Sequence, residues 1–173
     1  RQTDVDTIHT KGYWHQGIHA TVYTNAGEVL FEKRATTMIG GAGLWDLTMG
    51  GISSAGEDPD QTVLRELREE LGISARPEHV TKLFVWRYNH YLPHYGLHSR
   101  SLTHTYLVRV DALPRLALQR SEVETAKSMP FRQAGRFVNE GHSAMGELGS
   151  AHRYYRQLLD AAEHQHALLG AAK

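Results

Sequence analysis

Residues 51–73 read GISSAGEDPDQTVLRELREELGI, and their spacing sets the reading of everything around them. Asp58 suits an N-cap, and Pro59 fits the first helical position, where a missing N–H costs nothing. Residues 61–71 are strong helix formers. Val63, Leu64, Leu67 and Leu71 make a core-facing stripe, and Gly72 stands where a helix-ending glycine belongs. On the same helix Glu66, Glu69 and Glu70 recur at i, i+3 and i+4, which predicts one carboxylate patch on another face.

Carboxylates crowded in this way repel, at about a few tenths of a kcal/mol for each i,i+4 pair. A hard cation removes that penalty. Mg²⁺ takes carboxylate, water and phosphate oxygens, so such a patch facing substrate phosphates makes a natural shell. A solvated acidic face is the plain alternative for a Glu-rich helix. Gly51, Glu57 and Arg65 in register with the patch favour the metal reading. Gly50 and Gly51 predict a turn whose backbone packs close to the site. Arg65 also stands four residues before Glu69, as an ordinary helix ion-pair partner would.

Written as a pattern, the stretch is G-x5-E-x7-R-E-U-x-E-E-x-G-U, with U a bulky apolar residue and every position filled. This is the signature of the Nudix hydrolases, and the chain resembles that family. VLFEKRA (29–35), GLWDLTMGG (43–51) and SEV (121–123) fit it too, so the resemblance covers roughly residues 15–135. It implies an α/β fold: a central mixed β-sheet sandwiched between α-helices, with the signature as loop–helix–loop. It implies cleavage of a phosphoanhydride in a small-molecule diphosphate, such as a nucleoside diphosphate derivative, with Mg²⁺ and with Mn²⁺ as a substitute. By the same resemblance Glu66, Glu69 and Glu70 are metal ligands, and the Gly50 carbonyl joins the metal shell. Arg65 orients one of the carboxylates, and Glu57 is a supporting carboxylate or a ligand through water.

Within the superfamily the arrangement is similar to the isopentenyl-diphosphate isomerase-like group, in the spacing from His15 to Gly27 and in LFEKRA and GLWDLT. The isomerases need a cysteine just after the tryptophan-bearing strand. Here that stretch is Thr48-Met49-Gly50-Gly51, and the chain has no cysteine, so hydrolysis is expected in place of isomerisation. A Nudix-fold binding or regulatory module with weak catalysis is the rival, although such modules usually lose signature carboxylates and none is lost here. His15 matches a metal-binding histidine of the isomerase group. Ser101 stands where the relatives closest in style carry a carboxylate.

Outside the signature, Glu122 is the first candidate for a general base or further ligand and Glu124 the second; either also fits a surface loop charge. Arg34 follows a predicted strand, and a guanidinium there suits diphosphate oxygens; a plain surface charge is the other reading. Trp45 and Trp86 offer faces for a base, or serve the core. Tyr88 and Tyr91 open a Tyr- and His-rich segment that includes His90, His94, His98 and His104. Pro93 and Gly96 break it, which predicts a recognition loop between two strands.

With 173 residues the chain is read as one domain, 1–173. Lys plus Arg equals Asp plus Glu at 19 each, so no global field holds a nucleic acid polymer. No apolar run is long enough to span a membrane. The first ten residues carry neither an apolar signal core nor an initiator Met, and a cytoplasmic setting is expected. Strands are predicted at 18–24, 29–34, 81–88 and 102–110, and a short helix at 131–140. A long helix is predicted at 147–169, its stripe of Leu148, Ala151, Tyr155, Leu158 and Ala162 serving either packing on the domain or a homodimer contact.

Overall fold

The computed structural model describes residues 4–140 and 151–171. In chain order the elements are α1 (Val5–Lys11), β1 (Trp14–Thr24), β2 (Glu28–Arg34), β3 (Trp45–Asp46), β4 (Met49–Ile52), α2 (Pro59–Leu71), β5 (Val80–Leu92), β6 (Leu97–Val110), β7 (Val123–Pro130), α3 (Phe131–Asn139) and α4 (Ala151–Ala171). The strands form a mixed sheet in the order β3-β2-β1-β6-β5, with β4 paired to β1 and β7 to β2. β1 runs parallel to β6 from Trp14↔Arg100 to Thr24↔Val110, and the other pairings are antiparallel.

Period-two alternation sends neighbouring side chains to opposite faces of the sheet. Leu30 joins Ile18, Ala20 and Val22 against Val63, Leu67 and Leu71 of α2. Val29 and Phe31, on either side of it, face Ala134 and Val138 of α3 and Tyr154, Tyr155 and Leu158 of α4. The mixed sheet therefore lies between helices, as expected.

Three features differ from the sequence reading. Residues 5–11 form a helix that was not anticipated, although it carries both terminal signals. The Thr7 N–H donates to Asp4 Oδ1 at 2.8 Å, and Gly12 ends the helix at φ 63°. The Tyr/His segment is not a loop: β5 and β6 pair through to Leu92↔Leu97, and only a one-turn 3₁₀ segment, Pro93–Tyr95, joins them. Residues 123–130 form β7, not a loop. The last helix begins among the described residues at Ala151, and positions 147–150, Leu148 included, lie outside them. Tyr155, Leu158 and Ala162 of its stripe are buried within the chain, so these three serve packing on the domain. Among the described residues no helix is long and apolar enough to cross a membrane.

Candidate active site

Helix α2 is fixed at both ends. The Asp60 N–H donates to Asp58 Oδ1 at 2.8 Å, and Gly72, at φ 70°, donates its N–H to the carbonyls of Arg68 and Leu67. A Cβ at Gly72 would also lie 2.8 Å from Ala117 Cβ, so the turn tolerates no side chain. Burial of Val63, Leu67 and Leu71 contributes about 1.5–3 kcal/mol each and locks the rotation of the helix.

That rotation does not gather the three glutamates into one exposed patch. They descend from solvent into the interior: the Glu69 side chain is 47% exposed, that of Glu66 12%, and Glu70 only 2%. The reason is helical geometry. Glu70 neighbours the buried stripe of Leu67 and Leu71, whereas Glu69, one residue earlier, points about 100° around the helix from it.

Arg65 organises the outer carboxylates. Its Nε and Nη2 grip Glu57 Oε1 and Oε2 at 2.9 and 3.0 Å, a two-bond fork. Its Nη1 lies 2.7 Å from Glu66 Oε1 and 2.9 Å from Glu69 Oε2. The Ser54 N–H also donates to Glu57. The hydrogen bonds from Arg65 hold the Glu57 carboxyl at about 2, far below the usual range. Burial acts against Arg65 on Glu66 and raises its carboxyl.

The inner carboxylates have no such partner. Burial, and then the charges of Glu32, Glu122 and Glu66, hold Glu70 well above the ordinary carboxyl range. Burial, then Asp46, does the same to Glu32 on β2. Glu70 Oε1 and Glu32 Oε2 are buried without a hydrogen-bond partner among the described residues.

A cleft of about 800 Å³ opens over this region. Of the residues singled out in the sequence, Glu66, Glu122, Arg34, Gly50 and Tyr88 line it, with His15, Trp86 and Ser101. Glu66 lies across β4, and only a glycine permits this: a Cβ at Gly51 would stand 2.3 Å from Glu66 Cδ. The bulge where Arg34 meets β7, and the Ala35 N–H donating to the Glu122 carbonyl at 2.7 Å, bring Glu122 beside Arg34. Glu124 is drawn off by Lys33, 2.9 Å away, which separates the two candidate bases. Arg34 donates Nε to the Gly40 carbonyl at 3.1 Å and is the one Arg or Lys among the described residues lining the cleft.

Trp45 does not reach the cleft. Lys127 Nζ lies 4.1 Å over its ring and Phe137 packs on it edge-on, so it belongs to the far side of the sheet. Glu57, Arg65, Glu69 and Glu70 do not line the cleft. Sequence reasoning passed over Glu32, Asp46 and His19. Asp46 and His19 line the cleft, and His19 Nδ1 is 2.8 Å from the Tyr154 hydroxyl. Val5, Asp6 and His9 of the unforeseen α1 line it too. The Asp4 cap was the available signal for that helix.

As they lie, no three His, Asp or Glu side chains among the described residues stand close enough to grip one ion. Arg65 holds Glu66 and Glu69 outward. The donor chemistry nevertheless fits a hard cation, because Glu32 Oε2 and Glu70 Oε1, two of the buried oxygens left without partners, are carboxylate oxygens.

Comparison with known proteins bears on this geometry. A family model, the NUDIX domain, matches residues 14–148. An uncharacterized Nudix hydrolase of Clostridium acetobutylicum is 29% identical over 137 residues, 76% of this chain and 65% of that protein. Nudix hydrolase 3 of Arabidopsis thaliana is 25% identical, over 87% of this chain but 21% of its own length. An isopentenyl-diphosphate Delta-isomerase of Photorhabdus laumondii is 32% identical, over 64% of this chain and 60% of the isomerase. The chain thus spans less than two thirds of each. Among solved structures, the NUDIX domain of Shewanella oneidensis NrtR complexed with ADP ribose superimposes at TM-score 0.59 and 19% identity, covering 90% of this chain and 99% of that one. A bifunctional NMN adenylyltransferase/ADP ribose pyrophosphatase of Francisella tularensis, complexed with AMP and a manganese ion, gives 0.51 at 23%, covering 67% and 34%. These structural likenesses establish the fold.

Proposed function

The chain belongs to the Nudix family, and on that premise we propose that it is a Mg²⁺-dependent hydrolase of a diphosphate linkage in a nucleoside diphosphate derivative. The observation that carries the reading is the convergence of Glu66, Glu122 and Arg34 on one end of the cleft, over the side-chain-free strand of Gly50 and Gly51.

Glu66, Glu69 and Glu70, with the Gly50 carbonyl, are the residues that would hold the cation, and Glu57 supports them through Arg65. When bound, a divalent cation neutralises charge on the diphosphate oxygens and lowers the pKa of the attacking water. Glu122, which lines the cleft and whose Oε1 accepts from the Gln119 amide at 2.8 Å, would accept that water's proton. Arg34 suits the non-bridging oxygens.

The opposite wall carries Trp86 and Tyr88, whose rings suit a flat group attached to the diphosphate. That the related folds hold ADP ribose and AMP supports the same class. With no cysteine in the chain, the isomerase chemistry of the Photorhabdus relative is not carried over.

The test is a panel of diphosphate compounds with Mg²⁺ or Mn²⁺, the products separated by chromatography. Release of a mononucleotide from a nucleoside diphosphate derivative supports the proposal. Thermal stabilisation by such compounds without product from any of them would favour a binding module.

A further inference from the structure

Glu32 has no part in the chemistry above, yet its position calls for one. It lies on β2, two residues before Arg34, on the strand face that sends Leu30 toward α2. It is 5% exposed. Opposite it on β3 stands Asp46, whose Oδ1 already accepts from the Thr48 N–H, the Thr48 hydroxyl and the Tyr155 hydroxyl.

Glu32 Oε2 accepts and donates nothing among the described residues, and neither does Glu70 Oε1. Each buried polar atom left in this way is a net cost to folding. A void of about 10 Å³ touches Glu32, roughly the space of one water-sized group, bounded otherwise by Thr48 and by apolar side chains such as Leu47 and Leu71. Glu32 and Glu70 also act on one another electrostatically, and Glu122 acts on both. Packing does not account for two unpartnered carboxyl groups on facing elements, one from the sheet and one from the helix.

We propose that Glu32 is a further ligand of the divalent-cation site, closing its inner end with Glu70. This rests on the reading of the cleft as a cation-dependent site. It adds a donor from β2 to those of α2 and ties the ion to the strand that carries Arg34.

The experiment is Mn²⁺ binding to the full chain, by calorimetry and by the electron paramagnetic resonance of free Mn²⁺, for wild type and Glu32→Gln. Thermal melts with and without Mn²⁺ accompany it. Glu32→Gln is expected to weaken Mn²⁺ binding about tenfold or more, and to shrink the Mn²⁺-induced rise in melting temperature. A merely structural Glu32 would instead lower the melting temperature without Mn²⁺ and leave the affinity unchanged, which overturns the proposal. Should Glu32→Gln not fold, Glu32→Asp keeps the charge but withdraws it by one methylene. Weaker Mn²⁺ binding then supports the proposal, and wild-type affinity overturns it. Wild type that binds no Mn²⁺ overturns both this inference and the cation-dependent reading. Wild type that binds while Glu32→Gln binds equally overturns only the inference.

Discussion

Gly51 sets where the central carboxylate of the cleft can lie. A Cβ there would overlap Glu66 at 2.3 Å, so Gly51→Ala must push Glu66 off β4. A displacement of about 1 Å at a reacting centre costs about 100-fold in rate. Gly51→Ala should therefore lose about that much kcat/KM while its circular dichroism stays that of wild type. The two tryptophans separate at the same scale. Trp86 lines the cleft and Trp45 packs under Lys127. Trp86→Ala should raise KM for a nucleoside diphosphate derivative, and Trp45→Phe should leave it unchanged in the same steady-state assay. The sequence carried Glu66 and Arg65 openly, because their spacing repeats along one helix. It did not mark Glu32, and it left Trp45 between the cleft and the core, because a strand residue's role depends on which face it presents and on what packs there. No local pattern around LFEKRA or GLWDL states that.

Helix α2 was legible from end to end: Asp58 cap, apolar stripe, Gly72 stop. What the helix rule missed was depth. The i, i+3, i+4 spacing put three glutamates together, whereas the sheet beneath buries one and leaves another in solvent. The β5–β6 hairpin was missed over residues 89–101, because Tyr, His, Asn and Ser give no apolar alternation where one face lines a cleft and the other meets water. The Glu57–Arg65 fork makes a prediction at the scale of the element. The Glu57 carboxyl is depressed from 4.5 to about 2, so the folded chain binds fewer protons there than the unfolded chain. Its stabilising effect is full near neutral pH and is lost as pH falls through that window. The stability gap between wild type and Glu57→Gln in urea should thus be widest near neutrality and narrow from about 4.5 downward. Asp58→Ala should cost about 1 kcal/mol near neutral pH, as a lost N-cap does.

For the whole molecule the sheet acts as a partition. Its α2 face carries the carboxylates and its α3–α4 face the aromatic core, with the cleft opening past β1 and β4. Burial raises the Glu70 and Glu32 carboxyls above their unfolded values, so the folded chain holds protons that the unfolded chain releases. Without a cation, stability should therefore fall as pH rises above the ordinary carboxyl range. A bound cation offsets that loss, so Mg²⁺ should raise the melting temperature more at about pH 8 than at about pH 6. The central claim is that this chain hydrolyses a diphosphate linkage through a cation held by the α2 carboxylates. The most direct measurement is turnover of the best panel substrate by wild type, Glu66→Gln and Glu70→Gln, with Mg²⁺ and with chelator. The account predicts turnover by wild type that stops with chelator, and a loss of about 100-fold or more in both variants with the fold intact. Full turnover by either variant, or by wild type in chelator, would contradict it.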